Sequence, residues 1–231
     1  MQRRAVAHGA VLRDRTPVRA LRPTSDGVEV MTDDEVVSAA RVVVAADAWT
    51  ASLVEPLGVR LPLTVTEEQV TYYSPADPEP FRPGRFPVWI WMDEPSYYGF
   101  PTYGEDTVKA AQDCGGPVVT GDARSGEVDA EMLDRLSSFM QATFPASGPA
   151  VRSKRCLYTL TPDRDFVVSA VPGCEQVVVG LGAAHGYKFA ATFGRLLTDV
   201  AVDGSTSADI SAFGLDRPAL TDPAYEPHWM V

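Results

Sequence analysis

Of the 231 residues, 45% are hydrophobic and 22% are charged, so the chain is able to bury a hydrophobic core in one domain or in two small ones. Its formal net charge of -11 argues against a nucleic-acid-binding protein, because such proteins normally present a basic face. The apolar runs are far shorter than the ~20 residues of a membrane-spanning helix, and the first residues lack the apolar stretch of a signal peptide, so we expect a cytoplasmic protein that contacts no membrane.

The first quarter of the chain predicts short strands followed by one helix. Residues Arg3–Leu12 are expected to form an edge element beside these strands. Three short runs alternate apolar and polar residues and are separated by turn-forming residues, which predicts a β-meander. The runs are Val18–Arg22, Val28–Met31 and Val42–Ala46. Thr50–Leu57 then predicts a short helix that ends at Gly58.

The middle of the chain predicts more strands and one long loop. Val65–Tyr73 and Val88–Met92 are rich in β-branched and aromatic residues, which are common in strands. Between them, Pro75–Pro87 contains five prolines and is expected to be a surface loop. Tyr97–Phe100 followed by Val108–Ala110 predicts a hairpin.

The clearest helix is predicted at Glu127–Phe144. Its first turn carries acidic residues, and an apolar stripe runs along one side. The stripe consists of Val128, Met132, Leu136 and Phe139. Two further strands are expected at Cys156–Leu160 and Phe166–Ala170. This order of elements is typical of an α+β fold in which a mixed or antiparallel sheet predominates.

A glycine-rich turn near the carboxyl end is the most informative feature. Within Gln176–Arg195, a short apolar run leads into a turn that opens a helix. Backbone N–H groups are unpaired at a helix start and glycines let a ligand approach them, so we expect an anionic or electron-rich group here. Gly180, Gly182 and Gly186 form G-x-G-x-x-x-G, one residue longer than the dinucleotide fingerprint. The residues after Asp203 contain no second apolar strand, which argues against a self-sufficient nicotinamide-nucleotide site.

Metal and hydrolytic chemistry find little support in the sequence. The three cysteines lack C-x-x-C spacing and the three histidines are widely separated, so we expect neither a disulfide framework nor a metal site. The cysteines are Cys114, Cys156 and Cys174. The G-x-S-x-G motif of a serine hydrolase does not occur either.

Five segments spread over nearly the whole chain carry a family resemblance. They are R-V-V-V-A-A-D-A-W-T (41–50), Y-Y-G-F-P (97–101), R-C-L-Y-T-L-T-P-D (155–163), H-G-Y-K-F (185–189) and D-R-P-A-L (216–220). In this order they resemble the FAD-dependent amine oxidases, most closely the monomeric sarcosine oxidase group with its N-methyltryptophan and pipecolate oxidase relatives. These enzymes form part of the D-amino-acid-oxidase superfamily.

The resemblance implies both a fold and an activity. It corresponds to the carboxyl-terminal part of a two-domain FAD-dependent oxidoreductase. Part of the FAD domain would lie at 1–62, a substrate domain at 63–150, and a return to the FAD domain at 151–231. Such an enzyme oxidises the C–N bond of a small amino acid or N-methyl amino acid to an imine, with FAD as cofactor and oxygen as acceptor.

The family's amino-terminal βαβ unit, which carries G-x-G-x-x-G, has no counterpart in this sequence. We therefore expect weak or no FAD binding by this chain alone, and a separate chain that supplies this half is one interpretation. A truncated gene product and a misplaced start are two others. The alternative function is a non-catalytic remnant that acts as a binding or interaction domain, because the surface left by the missing half would be apolar.

The resemblance also suggests how the cofactor is attached. Cys156 lies where the family joins the flavin to the protein through a thioether. The attacking species is the thiolate, and the neighbouring Arg152, Lys154 and Arg155 would lower the pKa of this thiol if their side chains point the same way. The alternative is an inert structural thiol, which is the usual role of an isolated cysteine.

Four residues are expected to act on the substrate or on oxygen. Tyr98 matches a tyrosine of the family's substrate pocket, and Lys109 matches a lysine that helps to activate oxygen. His185 and Lys188 match the family's H-G-F-K turn, where the lysine would pair with the substrate carboxylate as a point charge. Without the family resemblance, the alternative interpretation is structural. Tyr98 is then an aromatic residue packed in a core, Lys109 and Lys188 are solvated lysines, and His185 forms a local hydrogen bond. Besides Cys156, His185 and Lys188, the residues expected to contact FAD are Gly182, Ala184, Gly186, Tyr187, Val6, Ala46 and Trp49.

Five positions depart from the family pattern. Asp47 replaces a glycine and places a carboxyl group close to where FAD would lie, and Asp113 replaces a pocket histidine. Ala183-Ala184 replaces a Ser-Gly pair, and Ser169 replaces an aspartate. Because of these differences, the expected substrate is a secondary or primary amino acid and not sarcosine in particular.

Overall fold

The computed structural model describes residues 1–228, in which five α-helices accompany eleven strands. The helices are α1 (Gln2–Ala7), α2 (Thr50–Val54), α3 (Ala130–Thr143), α4 (Ala190–Asp203) and α5 (Pro218–Thr221). The strands are β1 (Val18–Pro23), β2 (Val28–Thr32), β3 (Val36–Ala39), β4 (Val42–Val44), β5 (Thr64–Tyr73), β6 (Trp89–Trp91), β7 (Tyr97–Phe100), β8 (Val108–Gln112), β9 (Ala150–Leu160), β10 (Val167–Val171) and β11 (Cys174–Leu181). They form three sheets, in the orders β1-β2-β3, β10-β11-β4 and β6-β7-β8-β5-β9. None of the helices in this part of the chain is long and apolar enough to cross a membrane.

The first sheet corrects the predicted meander. β1 and β2 pair antiparallel as predicted, but the third strand of this sheet is β3. The run predicted as the third strand, Val42–Ala46, forms β4 instead and pairs in parallel with β11. Three consecutive valines leave no polar face, so this run suits a sheet covered on both sides better than it suits an exposed meander.

The amino-terminal prediction is also wrong. Residues 2–7 form the helix α1, whereas the sequence suggested an edge element of a sheet. The segment QRRAVA consists mostly of residues with a high helix propensity. None of the α1 residues is buried, so local propensity decides the structure of this segment and packing contributes little.

The mixed sheet β10-β11-β4 lies at the centre of the largest core. β11 is antiparallel to β10 and parallel to β4. Val177 and Val179 point into a core shared with β1, β4 and α2, while Val178 packs against α4 on the other face. A Cβ atom on Gly180 would lie 2.5 Å from the terminal Cδ1 atom of Leu197, so glycine lets this leucine of α4 pack directly on the sheet.

The five-stranded antiparallel sheet packs one face against α3. The carboxylate of Asp129 caps this helix by accepting a hydrogen bond from the backbone N–H of Met132 at 3.0 Å. The buried stripe of α3 consists of Met132, Leu136 and Met140. Phe139 is partly buried and stacks on Tyr97, with ring centroids 4.2 Å apart. Val128 does not belong to the stripe as predicted, since it precedes the helix and is 53% exposed.

The other local predictions are largely confirmed. The β7–β8 hairpin and the strands β5, β6 and β10 lie where the sequence placed them. α2 continues into a 3₁₀ turn that ends at Gly58 with a φ of 87°, a left-handed conformation that favours glycine. The proline-rich loop is not wholly at the surface, because its 3₁₀ turn at Glu79–Phe81 buries Phe81 beside the α3 core.

Candidate active site

Three of the predicted site residues lie on one face of the five-stranded sheet. They are Tyr98 on β7, Lys109 on β8 and Cys156 on β9. In the antiparallel register, Tyr98 lies opposite Ala111, Lys109 opposite Tyr72, and Cys156 opposite Glu68. Successive strand residues point to opposite faces, and the neighbours Tyr97, Val108 and Ala110 pack on the α3 side. The three side chains therefore share the face that points away from α3.

The Cys156 thiol does not have the lowered pKa that its sequence neighbours predict. Solvent reaches the residue, but the protein atoms crowded around the sulfur raise its pKa, and the negative charge of Glu68 raises it further. Lys109 and Arg155 act in the opposite direction without reversing the shift. The thiol form is thus favoured, and of the two charges that favour the thiolate, Lys109 has the larger effect.

The alternation of β9 explains why the basic neighbours fail to act as predicted. Arg155 points to the α3 side, where it is 5% exposed and lies 3.6 Å from a carboxylate oxygen of Glu67. Arg152 shares the face of Cys156, but its guanidinium pairs with Glu105 and lies over the ring of Tyr72, 4.1 Å from the ring centroid. These two cations are therefore committed to other partners.

Two tyrosine hydroxyl groups meet on the same sheet face. The Oη atoms of Tyr98 and Tyr158 are 3.1 Å apart and form a hydrogen bond. Burial raises the pKa of Tyr98 to about 12 and raises the pKa of Tyr158 further still, so both hydroxyls remain neutral near neutral pH. Sequence reasoning missed Tyr158, although it lies two residues after Cys156 on a strand and must therefore share its face.

A buried carboxylate lies below Cys156. Glu68 is 1% exposed, and its carboxylate accepts a hydrogen bond of 2.6 Å from the hydroxyl of Thr66. It also accepts bonds of 3.1 and 3.0 Å from the backbone N–H groups of Gly115 and Gly116. Burial raises the pKa of Glu68 in spite of these donors. This network fixes the segment that follows β8.

That segment presents Asp113 to the site, where a buried ion pair forms. A guanidinium nitrogen of Arg164 lies 2.7 Å from one carboxylate oxygen of Asp113, and a second nitrogen lies 3.4 Å from the other oxygen. The side chains are only 7% and 18% exposed. The adjacent Cys114 has its pKa raised to about 12, chiefly by burial. No sequence pattern indicates Arg164, because a single arginine in a loop has no distinctive neighbours.

The glycine-rich turn after β11 folds more tightly than the predicted helix start. Ala183 and Ala184 both adopt left-handed conformations, with φ values of 43° and 72°. Residues 186–189 form a 3₁₀ turn, and α4 begins only at Ala190. Lys188 therefore lies on this 3₁₀ turn, before α4, and is exposed. A Cβ atom on Gly182 would lie 2.9 Å from the Cα of Gly186, so the turn requires glycine there.

His185 connects this turn to the ion pair. Its Nε2 atom lies 3.1 Å from the carbonyl oxygen of Arg164, and its ring lies 4.8 Å from the ring of Phe166. Burial lowers the pKa of His185, and the positive charges of Lys188 and Arg164 lower it further, so the imidazole is neutral near neutral pH. The turn and the sheet face thus meet at the Asp113–Arg164 pair.

Two adjoining cavities extend from the turn. The first, of about 570 Å³, is lined by the predicted residues Gly182, Ala184, Gly186 and Tyr187 and by Leu157, the neighbour of Cys156. The second, of about 1000 Å³, runs along β1 and β4 and is lined by the predicted residues Ala46 and Trp49. Ala45 and Asp47 line both cavities. Val6 lies on α1, where it is 52% exposed, and it is not among the residues that line either cavity within residues 1–228.

Asp47 occupies the wall between the two cavities. Its φ of 47° is left-handed, a conformation that glycine adopts more easily. Solvent still reaches the residue, but the surrounding protein atoms raise the pKa of its carboxyl group. The hydroxyl of Thr159 lowers this pKa and so offsets part of the increase. The nearby Trp49 donates its indole N–H to Asp122 at 2.9 Å, which ties this wall to the loop before α3.

Comparison with known proteins identifies the family. Residues 1–200 match the DAO family, described as FAD dependent oxidoreductase. The chain belongs to this family. It is 31% identical over 225 residues to monomeric sarcosine oxidase of Bacillus sp. (strain NS-129), covering 95% of this chain and 58% of the relative. It is 32% identical over 206 residues to N-methyl-L-tryptophan oxidase of Yersinia pestis (strain Pestoides F), covering 87% and 54%.

Solved structures agree with this assignment. NikD, described as an unusual amino acid oxidase essential for nikkomycin biosynthesis, superimposes with a TM-score of 0.80 at 33% identity over 91% of this chain and 56% of that chain. Glycine oxidase from Geobacillus kaustophilus shares the fold, with a TM-score of 0.76 at 21% identity, over 92% and 55%. The predicted resemblance and the α+β fold class are confirmed, and the chain spans little more than half the length of these relatives.

The family uses FAD, and several features of the site fit this cofactor. The turn at 182–186 brings backbone close to the first cavity, and a side chain at Gly182 would disrupt that approach. Ala45 and Asp47 line both cavities, which together we call the channel, and the channel reaches β9 at Leu157. The residues present therefore suit the flavin end of an elongated, anionic cofactor.

Proposed function

We propose that this chain provides the substrate-binding and flavin-facing part of an FAD-dependent amine oxidase. Its reaction is the oxidation of the C–N bond of an amino acid or N-methyl amino acid, with oxygen as the acceptor. The observation that carries the proposal is that Tyr98, Lys109 and Cys156 share one sheet face, which a buried ion pair joins to the glycine-rich turn. When bound, FAD takes two electrons from the substrate and passes them to oxygen.

The glycine-rich turn is assigned to the flavin and to the substrate carboxylate. Its backbone N–H groups and the Lys188 ammonium create a positive potential, which would favour negative charge on a flavin ring bound beside the turn. Because Lys188 is exposed and carries three donors on a flexible stem, it is able to pair with a carboxylate in the cleft. The neutral imidazole of His185 supports the turn through its contact with the Arg164 carbonyl group.

The two tyrosines are assigned to the substrate amine. A hydroxyl with a pKa raised to about 12, as in Tyr98, stays protonated and also has lone pairs for an amine N–H. Its partner Tyr158 fixes the direction of the hydroxyl through their mutual bond of 3.1 Å. Asp113 lies behind this pair, with its charge balanced by Arg164, so the amine meets a polar but electrically neutral wall.

Lys109 is assigned to oxygen reduction. Its ammonium lies 5.1 Å from the centre of the Phe100 ring, a cation–π contact that holds the charge on the sheet face. A fixed positive charge stabilises the negative charge that develops on oxygen as it gains electrons. The same charge favours the thiolate of Cys156, which a thioether link to the flavin would require.

A further polypeptide segment completes the FAD site in this proposal. Whether it is supplied by a separate chain or by the same protein, it would cover the open channel beside β4. The support is twofold: the two cavities are open, and the part that matches this chain covers only 58% of the Bacillus relative.

One observation favours a second candidate, a non-catalytic interaction domain. Asp47 places a carboxyl group in the wall shared by both cavities, where an anionic cofactor would approach it. Exposed apolar side chains would then serve association instead of catalysis. Among them are Val43, Ile90, Trp91 and Met92.

Flavin retention separates the two candidates. The chain is incubated with FAD, alone and together with the amino-terminal half of the Bacillus sarcosine oxidase, and precipitated with acid. When the amino-terminal half is present, we expect yellow colour to stay in the pellet and to be lost to the supernatant in Cys156→Ala. The matched control, Cys174→Ala, removes a buried core thiol and should retain the colour. A colourless protein that takes up no FAD under either condition would support the interaction domain.

A further inference from the structure

The loop between β9 and β10, residues 161–166, touches both halves of the candidate active site. The Arg164 side chain pairs with Asp113, which follows β8, at 2.7 Å. The Arg164 carbonyl oxygen lies 3.1 Å from Nε2 of His185 in the glycine-rich turn. Phe166 adds a ring contact to the same histidine, with centroids 4.8 Å apart. The 161–166 loop therefore sets the distance between the sheet face and the turn.

Arg217, the residue before α5, holds the other side of the 161–166 loop. All five N–H donors of its guanidinium group have partners. Two bonds, of 2.7 and 3.1 Å, reach the carboxylate of Asp163. The other three, of 2.9, 3.0 and 3.1 Å, reach the carbonyl oxygens of Asp165, Phe166 and Gly214. The ion pair is buried, with side chains only 10% and 9% exposed.

The 161–166 loop needs such support because of its backbone. Arg164 has a φ of 58°, a left-handed conformation that a residue with a side chain adopts only at a cost. Conformations of this kind persist where the surrounding contacts determine them. The bonds from Arg217 reach the residues on either side of Arg164, namely Asp163 and Asp165. Arg164 is thus held between two anchored neighbours and directed into the site.

We propose that Arg217 is a positioning residue for amine oxidation, acting through the 161–166 loop to hold Asp113 and His185 at a fixed separation. The inference rests on the proposed function of the site. Arg217 touches neither Asp113 nor His185 directly in this arrangement, and its effect is transmitted by Arg164 and Phe166. The D-R-P-A-L segment, which contains Arg217, therefore acts on a site that it does not contact directly.

The titration of His185 tests this role without any cofactor. The groups that face this imidazole are Arg164, Lys188, Asp113 and the ring of Phe166. Burial is the largest influence on the pKa of His185 and lowers it, and this effect outweighs the bond to the Arg164 carbonyl group, which raises it. A loosened loop weakens both influences, so the pKa should rise towards the ordinary histidine value. Arg217→Lys keeps the positive charge, but an ammonium group cannot form the five fixed bonds of the guanidinium. The measurement is NMR of the imidazole signals against pH, and the presence of only three histidines makes assignment direct.

We expect Arg217→Lys to shift the His185 titration to higher pH and Asp163→Asn to do the same. The control is Arg195→Lys, which changes an exposed ion pair with Asp199 on α4 and should leave the titration unchanged. If Arg217→Lys does not fold, Asp163→Asn decides the matter by the same measurement. Folded variants with an unchanged His185 titration, whatever their thermal stability, would overturn the proposal. Flavin uptake is measured separately, so its absence together with a shifted titration would count against the proposed function alone.

Discussion

The ammonium of Lys109 offers a prediction that separates two halves of the reaction. Lys109→Met keeps the length and the apolar contacts of the side chain but removes the charge beside the Phe100 ring. We expect reoxidation of the flavin by oxygen to slow by roughly 10²–10³-fold, the usual cost of one electrostatic contact in a transition state. Reduction by the amine should change far less, because Lys109 is not placed against the substrate amine.

Stopped-flow absorbance measures these two half-reactions separately, on protein in which the FAD site has been completed. Lys154→Met is the matched control, since Lys154 lies on the same sheet face two residues before Cys156. The control should leave reoxidation close to the unaltered rate. Equal slowing of both half-reactions in Lys109→Met would mean that this lysine supports the structure of the site rather than the reduction of oxygen.

Asp47 predicts a dependence of stability on pH. Its pKa is raised in the folded protein, so the folded state binds a proton more readily than the unfolded chain. The charged carboxylate therefore destabilises the fold at neutral pH, and this penalty disappears as the pH falls below the ordinary aspartate pKa. We expect Asp47→Asn to raise the free energy of unfolding at pH 7 by less than about 1 kcal/mol, since solvent screens the partly exposed group.

Urea unfolding at pH 7 and at pH 4 tests this expectation. The gain in Asp47→Asn should shrink at the lower pH, where the carboxyl group of the original protein is increasingly protonated. Asp14→Asn is the control, because the Asp14 side chain is 93% exposed. A gain in Asp47→Asn that is the same at both pH values would show that the left-handed backbone, and not the charge, is responsible.

Individual residues also mark the limit of what the sequence predicts. Tyr98, Lys109 and Cys156 come together as the family resemblance implied, because strand alternation alone places them on one face. The pKa of Cys156 is raised where the basic neighbours suggested a decrease, because it depends first on burial and then on Glu68, which is distant in sequence. Arg164 was missed for the same reason: its partner Asp113 is brought close only by tertiary structure.

Among the connections between secondary-structure elements, the turn between β11 and α4 depends most strictly on glycine. A Cβ atom on Gly182 would lie 2.9 Å from the backbone of Gly186, so Gly182→Ala must shift this turn. We expect a loss of roughly 1–3 kcal/mol in the free energy of unfolding, as in other overpacked sites. Thermal and urea unfolding measure it, and FAD uptake should fall in parallel because the turn lines the first cavity.

Gly194→Ala provides a matched control in the same region. Gly194 lies inside α4, and a Cβ atom there would meet no described atom within 4 Å. Alanine has the higher helix propensity, so we expect this variant to be more stable by about 0.5–1 kcal/mol. If the two substitutions change stability in the same direction, the close approach of Gly182 and Gly186 does not control the turn.

The elements show which kind of information the sequence lacked. Local patterns were sufficient for α2, α3 and the β7–β8 hairpin, since these depend on near neighbours in the chain. They were insufficient for β4, whose partner β11 lies near the other end of the chain. A short apolar run predicts a strand but not the sheet to which it belongs, and so β4 was assigned to the meander and β3 was missed.

In the whole molecule, the long pairing of β5 with β9 connects the sheet face to the mixed sheet. β9 leads through the 161–166 loop into β10, and β11 then leads into the glycine-rich turn. The chain therefore passes the site twice, in the 161–166 loop and in the glycine-rich turn. The buried ion pairs of Arg164 and Arg217 hold this region together. Breaking such a pair leaves an unpaired charge in the interior, which is more costly than the pair itself is stabilising.

The edge of the mixed sheet leads to the last prediction. β4 is the edge strand of its sheet in residues 1–228, so its outer backbone groups are available to pair with another strand. Val43 of β4 is 42% exposed and lines the larger cavity.

We expect Val43→Lys to prevent association with the amino-terminal half of the Bacillus sarcosine oxidase, because a charge would enter an apolar contact. Size-exclusion chromatography of the mixture and flavin uptake measure the association. Val36→Lys changes a valine of β3 that is 50% exposed and should not affect it. If both variants associate equally well, the edge of β4 is not where the segment that completes the proposed FAD site binds.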